Sequence, residues 1–260
     1  MEPTSVEPNS DVPAVAAAIF GPALPLAVRY AALLTGPGVE RGLLGPAEAG
    51  RVWDRHLLNC AVVAELIDSP GTIVDLGSGA GLPGIVLALL LPGAEVILLE
   101  PMARRVAFLE ECVQALGLAN AEVRRGRAQD MAGELAADVV VARAVAPLDK
   151  LAPMAAALAR PGGTVLAIKG AGAGDELGRA RPVLTRLGAR DVDVVRVGGG
   201  KVDPAAIVVR FVTGPARNRP GRQPVPEAAG HRGAAPAGRG GPGVTARGQQ
   251  RRPNARRSGG

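Results

Sequence analysis

The sequence predicts an α/β fold: a mostly parallel, seven-stranded sheet covered by helices on both faces, behind an N-terminal helical extension. Three observations predict it. Short β-branched runs alternate with helical segments from Thr72 to Leu187. A glycine-rich loop follows the first of those runs. The last two runs are joined by a connection too short to hold a crossover helix.

Taken in order, residues 1–11 are polar and proline-containing and read as a disordered N-terminus. Residues 12–70 read as the helical extension. Its apolar residues from Val12 to Leu34 give one or two helices broken near Gly21–Pro25. Pro46 stands where a helix starts, and Val52, Leu57, Leu58, Val62, Val63 and Leu66 recur at roughly helical spacing through Ala47–Ile67. Asp68-Ser69-Pro70-Gly71 is a turn signal. Beyond it, residues 71–213 alternate: strand Thr72–Leu76, helix Pro83–Leu91, strand Glu95–Leu99, helix Ala103–Leu116, strand Glu122–Arg125, a short helix near Gln129–Leu135 and strand Asp138–Ala142. Helix Leu148–Ala159, strand Thr164–Lys169 and helix Asp175–Leu187 complete the alternation. Asp191–Val197 and Ala206–Val212, separated only by Gly198–Pro204, are expected to close the sheet as an antiparallel hairpin. Residues 214–260 are rich in Gly, Pro, Ala and Arg, with almost no large apolar side chain, and read as a disordered basic tail.

Composition narrows the class. With 47% hydrophobic residues over 260 positions, a full core can be buried without disulfides or metal. Cys60 and Cys112 both sit in apolar, helix-like stretches, giving neither a disulfide framework nor zinc spacing. No metal site is expected. The N-terminus has no basic region followed by an apolar stretch, and the apolar run Ile85–Leu91 is too short to span a bilayer. These features predict a cytoplasmic protein with no membrane association. The net charge of +6 is uneven. From Gly214 onward there are ten Arg and one acid, whereas residues 1–213 carry 20 bases and 23 acids. The basic character belongs to the tail.

The loop Val74-Asp75-Leu76-Gly77-Ser78-Gly79-Ala80-Gly81-Leu82-Pro83-Gly84 is the strongest local signal. Its glycines permit positive φ angles and close approach of backbone to a ligand, and the next helix presents unpaired N–H groups. Ligands of open α/β sheets bind beyond the carboxyl ends of the strands, where strand order reverses. Glu100 ends the second strand, where a carboxylate can accept both hydroxyls of a ribose. Gly79–Gly84 also matches the dinucleotide G-x-G-x-x-G fingerprint, with Glu100 at the expected offset. Asp75 resembles the acid that opens the D-x-G-x-G-x-G loop of class I S-adenosylmethionine-dependent methyltransferases. Arg160-Pro161-Gly162-Gly163 resembles the turn before their fifth strand, and the closing hairpin fits their sheet. The expected architecture is therefore Rossmann-like.

Six blocks narrow the likeness: Arg51-Val52-Trp53-Asp54-Arg55-His56-Leu57-Leu58-Asn59-Cys60, VDLGSGAGLPGI, LLEPMARRVAFLEE, RGRAQD, Val141–Leu148 and Ala167-Ile168-Lys169-Gly170. In this order they resemble the ribosomal RNA small subunit methyltransferase G family, also called glucose-inhibited division protein B. The likeness covers roughly residues 28–212, and the high Ala, Gly and Arg content resembles that of actinobacterial members. It implies methyl transfer from S-adenosyl-L-methionine to N7 of a guanine in the 530 loop of 16S rRNA, with 16S rRNA or the 30S subunit as partner. It further implies cofactor contacts from Gly77, Leu82, Ala128, Gln129 and Arg143. Ser78 and Gly79 of the loop and Glu100 join them as candidates. The family usually has Ala-Glu where this chain reads Ala128-Gln129.

The chemistry agrees with that reading. Guanine N7 carries an exposed lone pair, so methyl transfer demands alignment and a suitable field more than a general base. The chain has no Asn/Asp-Pro-Pro-Tyr/Phe motif for exocyclic amines, and neither cysteine follows a proline as in cytosine C5 enzymes. Both cysteines read as small buried hydrophobes. Arg143, at a strand's carboxyl end, is the candidate catalytic residue: it can pair with the methionine carboxylate, guanine O6 or a phosphate, or else with a helix-borne acid. Lys169 occupies the matching place on the next strand and reads as an RNA-phosphate ligand or a solvated lysine. Trp53 and His56, three apart, share a helix face; core packing is the reading for Trp53, with a site role open for His56. The Hoogsteen edge is hidden in A-form RNA, so the substrate is loop or splayed-out RNA. The tail can supply nonspecific affinity for rRNA phosphates. Two other classes stay open at this level: an NAD-dependent oxidoreductase, and a non-catalytic rRNA-binding assembly factor.

Overall fold

A computed structural model of the chain describes residues 12–68 and 71–215. The expected disorder of residues 1–11, and the tail apart from residues 214 and 215, lie outside the described residues. The sheet contains β1 (Thr72–Leu76), β2 (Glu95–Glu100), β3 (Ala121–Arg125), β4 (Ala137–Arg143), β5 (Ala159–Lys169), β6 (Arg190–Val197) and β7 (Ala206–Val212), in the order β3-β2-β1-β4-β5-β7-β6. Neighbours from β3 to β5 are parallel, and β7 runs antiparallel to both β5 and β6. The expected hairpin is present, with its second strand inserted between β5 and the edge strand β6.

Eight α-helices pack around this sheet among the described residues: α1 (Ala14–Phe20), α2 (Leu24–Leu33), α3 (Pro46–Ala49), α4 (Asn59–Ala61), α5 (Gly84–Leu90), α6 (Ala103–Leu116), α7 (Leu148–Leu158) and α8 (Ala173–Leu187). The strand period of two sorts side chains onto two cores. Ile73, Val96, Leu98, Val139, Val141, Leu166 and Ile168 meet the N-terminal helices with α5 and α6. Val74, Ile97, Leu99, Val140, Ala142, Val165 and Ala167 meet α7 and α8. Helix α6 buries Val106, Leu109, Cys112 and Leu116 at helical spacing and ends on Gly117 at φ +64°, a left-handed conformation that costs glycine little.

Two local readings need correction. Gln129–Leu135 forms turns with one bridge between Ala132 and Leu135, not a helix. Gly133 at φ +89° lies outside helical geometry and diverts the chain there. The single helical pattern of Ala47–Ile67 is split at Gly50, and Val52–Leu66 then winds first loosely, with a π-helical stretch at Val52–Leu58, and finally tightly as a 3-10 stretch. The break expected near Gly21–Pro25 is present: α1 ends on Gly21 at φ +49°, and a 3-10 turn at Gly21–Ala23 leads into α2. Taken across that turn, helical structure spans Ala14–Gly38, long and apolar enough by length and composition to cross a membrane. One face of it enters the core through Ala16, Phe20, Ala27, Tyr30, Ala31 and Leu34: Phe20 meets Trp53 edge-to-face at 6.1 Å, and Tyr30 is fully buried. The Tyr30 hydroxyl donates to the Ala80 carbonyl at 2.7 Å, tying this layer to the glycine loop.

Candidate functional site

The loop after β1 is held from below by two buried carboxylates. Asp75 points to the N-terminal-helix face of the sheet, with Ile73, and its Oδ2 accepts the Gly84 N–H at 2.9 Å. It therefore caps α5. A Cβ at Gly84 would lie 2.6 Å from that oxygen, so only glycine permits the cap. Asp75 Oδ1 is buried without a partner, and burial lifts the carboxyl pKa to about 7 against the lowering effect of the Gly84 hydrogen bond. Glu100 is also buried. Its Oε2 accepts the Gly79 N–H at 2.9 Å, and its Oε1 accepts the Met102 N–H at 3.0 Å. The carboxylate is thus locked between the first two strand ends.

A cleft of about 340 Å³ opens above these groups, lined by Gly77, Glu100, Met102, Arg127, Ala128, Gln129, Val145 and Met154 among others. Four expected cofactor residues, Gly77, Glu100, Ala128 and Gln129, come together here from three separate strand ends. Gly77 has φ +71°, and a Cβ on it would stand 2.9 Å from Val145 Cγ2. The remaining loop candidates do other work. Ser78 is buried and its hydroxyl donates to the Asp75 carbonyl at 2.9 Å, while the Gly79 N–H is committed to Glu100. Leu82 lines neither this cleft nor the next and packs against the core beneath α5. The sequence reading missed Met102, Val145 and Met154. Met102, apolar and two residues past an acidic strand end, was the one legible sign.

Arg143 faces a second, larger cleft of about 720 Å³ over β4, β5 and β7. Strand parity explains its direction, since Val139, Val141 and Arg143 share the face covered by the N-terminal helices. Among the described residues it pairs with no acid. Nη2 donates to the Arg55 carbonyl at 3.0 Å and to His56 Nδ1 at 2.8 Å, and Nη1 donates to Cys60 Sγ at 3.1 Å. Lys169 has the opposite parity and meets α8. Its Nζ lies 2.7 Å from Glu176 Oε2 and donates to the Ala146 carbonyl at 2.8 Å. Glu176 in turn accepts the Leu148 N–H at 3.1 Å. Lys169 is therefore neither solvated nor free for phosphate; it anchors the loop between β4 and α7. Arg55 and Arg196 complete the cationic lining. Both clefts include Ala144 and Val145, which form the ridge between them, with Ala144 at φ +55°. Among the described residues no group of three or more His, Cys, Asp or Glu stands together as a metal site.

The fold and this site define a class I methyltransferase. In the dinucleotide-binding arrangement the strand order is 3-2-1-4-5-6. Here a reversed β7 is inserted before the last strand, so the sheet follows the methyltransferase pattern and the oxidoreductase reading falls. The same fold recurs in an S-adenosylmethionine-dependent O-methyltransferase from Thermotoga maritima, with a TM-score of 0.50, 15% identity, and coverage of 62% of this chain and 67% of that one. Within the class, the chain belongs to the rRNA small subunit methyltransferase G family (GidB), whose model matches residues 23–203. A ribosomal RNA small subunit methyltransferase G from Thermobifida fusca is 57% identical over 192 residues, covering 74% of this chain and 81% of that protein. One from Mycolicibacterium gilvum is 52% identical over 200 residues, covering 76% and 88%.

Proposed function

We propose that the protein transfers a methyl group from S-adenosylmethionine to N7 of a guanine in the 530 loop of 16S rRNA. The cofactor lies in the smaller cleft and the guanine in the larger. The observation that carries this reading is the shared ridge, Ala144–Val145, which lets a donor in one cleft meet an acceptor in the other.

The smaller cleft fits the cofactor chemically. Glu100 is oriented by two backbone N–H groups and keeps lone pairs for the two ribose hydroxyls. Met102, Val145 and Met154 give apolar contact for a planar base, with the Gln129 amide at its edge able to donate and accept. The family's usual glutamate would only accept there. Gly77 lets backbone approach the ligand where a side chain would collide with Val145. When bound, the cofactor supplies an electrophilic methyl group.

The chain then has to hold guanine in line with that methyl and exclude water. N7 needs no deprotonation, which suits a cleft whose central group is an arginine. Arg143, held by Cys60, His56 and Arg55, keeps its Nε–H and one Nη1–H for guanine O6. Arg55 and Arg196 at the rim would meet the flanking phosphates. The tail adds sequence-independent attraction, the partner is 16S rRNA within the 30S subunit, and the protein works in the cytoplasm.

The test is to incubate the protein with labelled cofactor and 30S subunits lacking the modification, then map 7-methylguanine. Label confined to one guanine of the 530 loop is expected. Label elsewhere, or on an exocyclic nitrogen, would overturn the substrate. The assembly-factor reading requires RNA binding with no label incorporated at all.

A further inference from the structure

We propose that His56 is a positioning residue: as the neutral imidazole carrying its proton on Nε2, it fixes the Arg143 guanidinium in the second cleft. The inference rests on the assignment of that cleft to the acceptor base.

Two distances set the tautomer. Arginine can only donate, so the ring nitrogen 2.8 Å from Arg143 Nη2 must offer a lone pair, and that nitrogen is Nδ1. The other nitrogen, Nε2, stands 3.0 Å from Glu48 Oε2, an acceptor, and carries the proton. Carboxylate, imidazole and guanidinium thus form a directional chain from α3 to the carboxyl end of β4. Arg55 beside the ring pairs with the other oxygen of Glu48 at 3.1 Å and lends its own carbonyl to Arg143. Cys60, one helical turn further on, takes the Nη1 side.

A second proton on the ring would aim Nδ1–H at the guanidinium, placing donor against donor and cation against cation. The charged groups facing the ring are Arg143, Glu48 and Arg55. Burial and the two arginines disfavour the imidazolium, and Glu48 favours it; the balance lowers the pKa below its ordinary value. At neutral pH the lock is closed. On acidification it opens, and Arg143 loses a third of its anchors.

Two variants separate this role from packing. An asparagine amide reaches the place of Nδ1, and a glutamine amide that of Nε2. His56→Asn keeps an acceptor for Arg143 and should retain most of kcat; His56→Gln keeps only the Glu48 partner. It should lose about tenfold in kcat, with KM for the cofactor changed by less than roughly twofold. Wild-type kcat should fall on the acid side with a midpoint below the ordinary histidine value, and His56→Asn should lack that limb. Equal kcat for the two variants, or an acid limb that survives in His56→Asn, overturns the proposal.

An activity-independent readout stands beside these. The chain has two histidines, so long-range ¹H–¹⁵N NMR of the full-length protein shows two rings, assigned with His231→Ala. A pyridine-type Nδ1 on His56 at pH 7.5 is expected. An Nδ1-protonated or doubly protonated ring sinks the proposal even if methyl transfer is confirmed. A correct tautomer in a protein that methylates another RNA site leaves the lock standing and removes only the base assignment.

Discussion

The smaller cleft combines apolar side chains, and backbone fixed from beneath by Asp75 and Glu100, with Arg105, Arg127 and Gln129, whereas the larger is lined by Arg55, Arg143 and Arg196, with Lys169 paired to Glu176. One has the size and fixed geometry of a small-molecule site. The other is twice as large and carries the greater excess of positive charge, as a polyanion requires. They meet on two residues, and on the proposed assignment an acidic folded part gathers its larger positive charge where the RNA acceptor would enter. Each half of the contrast can be attacked separately.

The largest effect is expected at Asp75, on stability. The unfolded carboxyl titrates near 4, and the folded one near 7 because it is buried. Between those values the native state holds a proton that the unfolded chain has released. Stability from this group is therefore fully present below pH ~4, falls as pH rises towards 7, and levels off above. Its size is on the order of 4 kcal/mol, from about three pKa units at about 1.4 kcal/mol each. Asp75→Asn removes the proton exchange but keeps an oxygen for the Gly84 N–H. Urea denaturation at pH 5 and pH 8 should show a much smaller difference for Asp75→Asn than for wild type. An unchanged difference would place the titration elsewhere.

Arg143→Ala attacks the other half. It removes the central cation of the larger cleft and leaves His56 Nδ1 without its donor, so kcat should fall about 100-fold, the scale of one lost transition-state contact. Affinity for S-adenosylmethionine, read by calorimetry, should change by less than about threefold, because Arg143 does not line the smaller cleft. A loss confined to cofactor affinity would instead make Arg143 the cofactor ligand that the family likeness implies. Gly77→Ala should do the reverse. Its left-handed φ costs an L-residue roughly 1–2 kcal/mol, and the new Cβ drives Val145 into the cleft. Cofactor affinity should drop about tenfold or more with RNA binding intact. Adding Val145→Ala should recover only the part caused by collision.

Much of this was legible in the sequence, for a physical reason. Strands, the glycine loop and the acidic strand end are local patterns, so the sheet, the closing hairpin and the meeting of Gly77, Glu100, Ala128 and Gln129 could be anticipated. The period of two along Val139, Val141 and Arg143 could even have given the face to which Arg143 turns. What it meets there could not be read. His56 lies 87 residues away on a helix whose winding is irregular, and no local pattern encodes that approach. The failed helix at Gln129–Leu135 shows the converse: its polar and apolar spacing allowed a turn of helix, but one glycine at positive φ decided otherwise. Lys169 was misread for a similar reason, since Glu176, which claims it, arrives from the next helix over.

The smallest effect is expected at the rim. Arg196 lines the larger cleft from β6 and has no acid partner among the described residues, unlike Arg55, which shares Glu48. A free cation beside a phosphate contributes by counterion release, so its loss weakens binding modestly and in a salt-dependent way. Arg196→Ala should reduce affinity for a 530-loop RNA fragment by about three- to tenfold at low salt and lower the slope of log affinity against log salt by about 1. Arg55→Ala should lower the slope less, because Glu48 already offsets part of that charge. Deleting residues 214–260 should lower the slope further still and additively, since the tail and the cleft would release separate counterions. If Arg196→Ala leaves the slope unchanged while the tail deletion flattens it, RNA attraction resides in the tail alone. The cleft's cations would then serve only to seat the base, and the charge contrast between the two clefts would concern orientation rather than affinity.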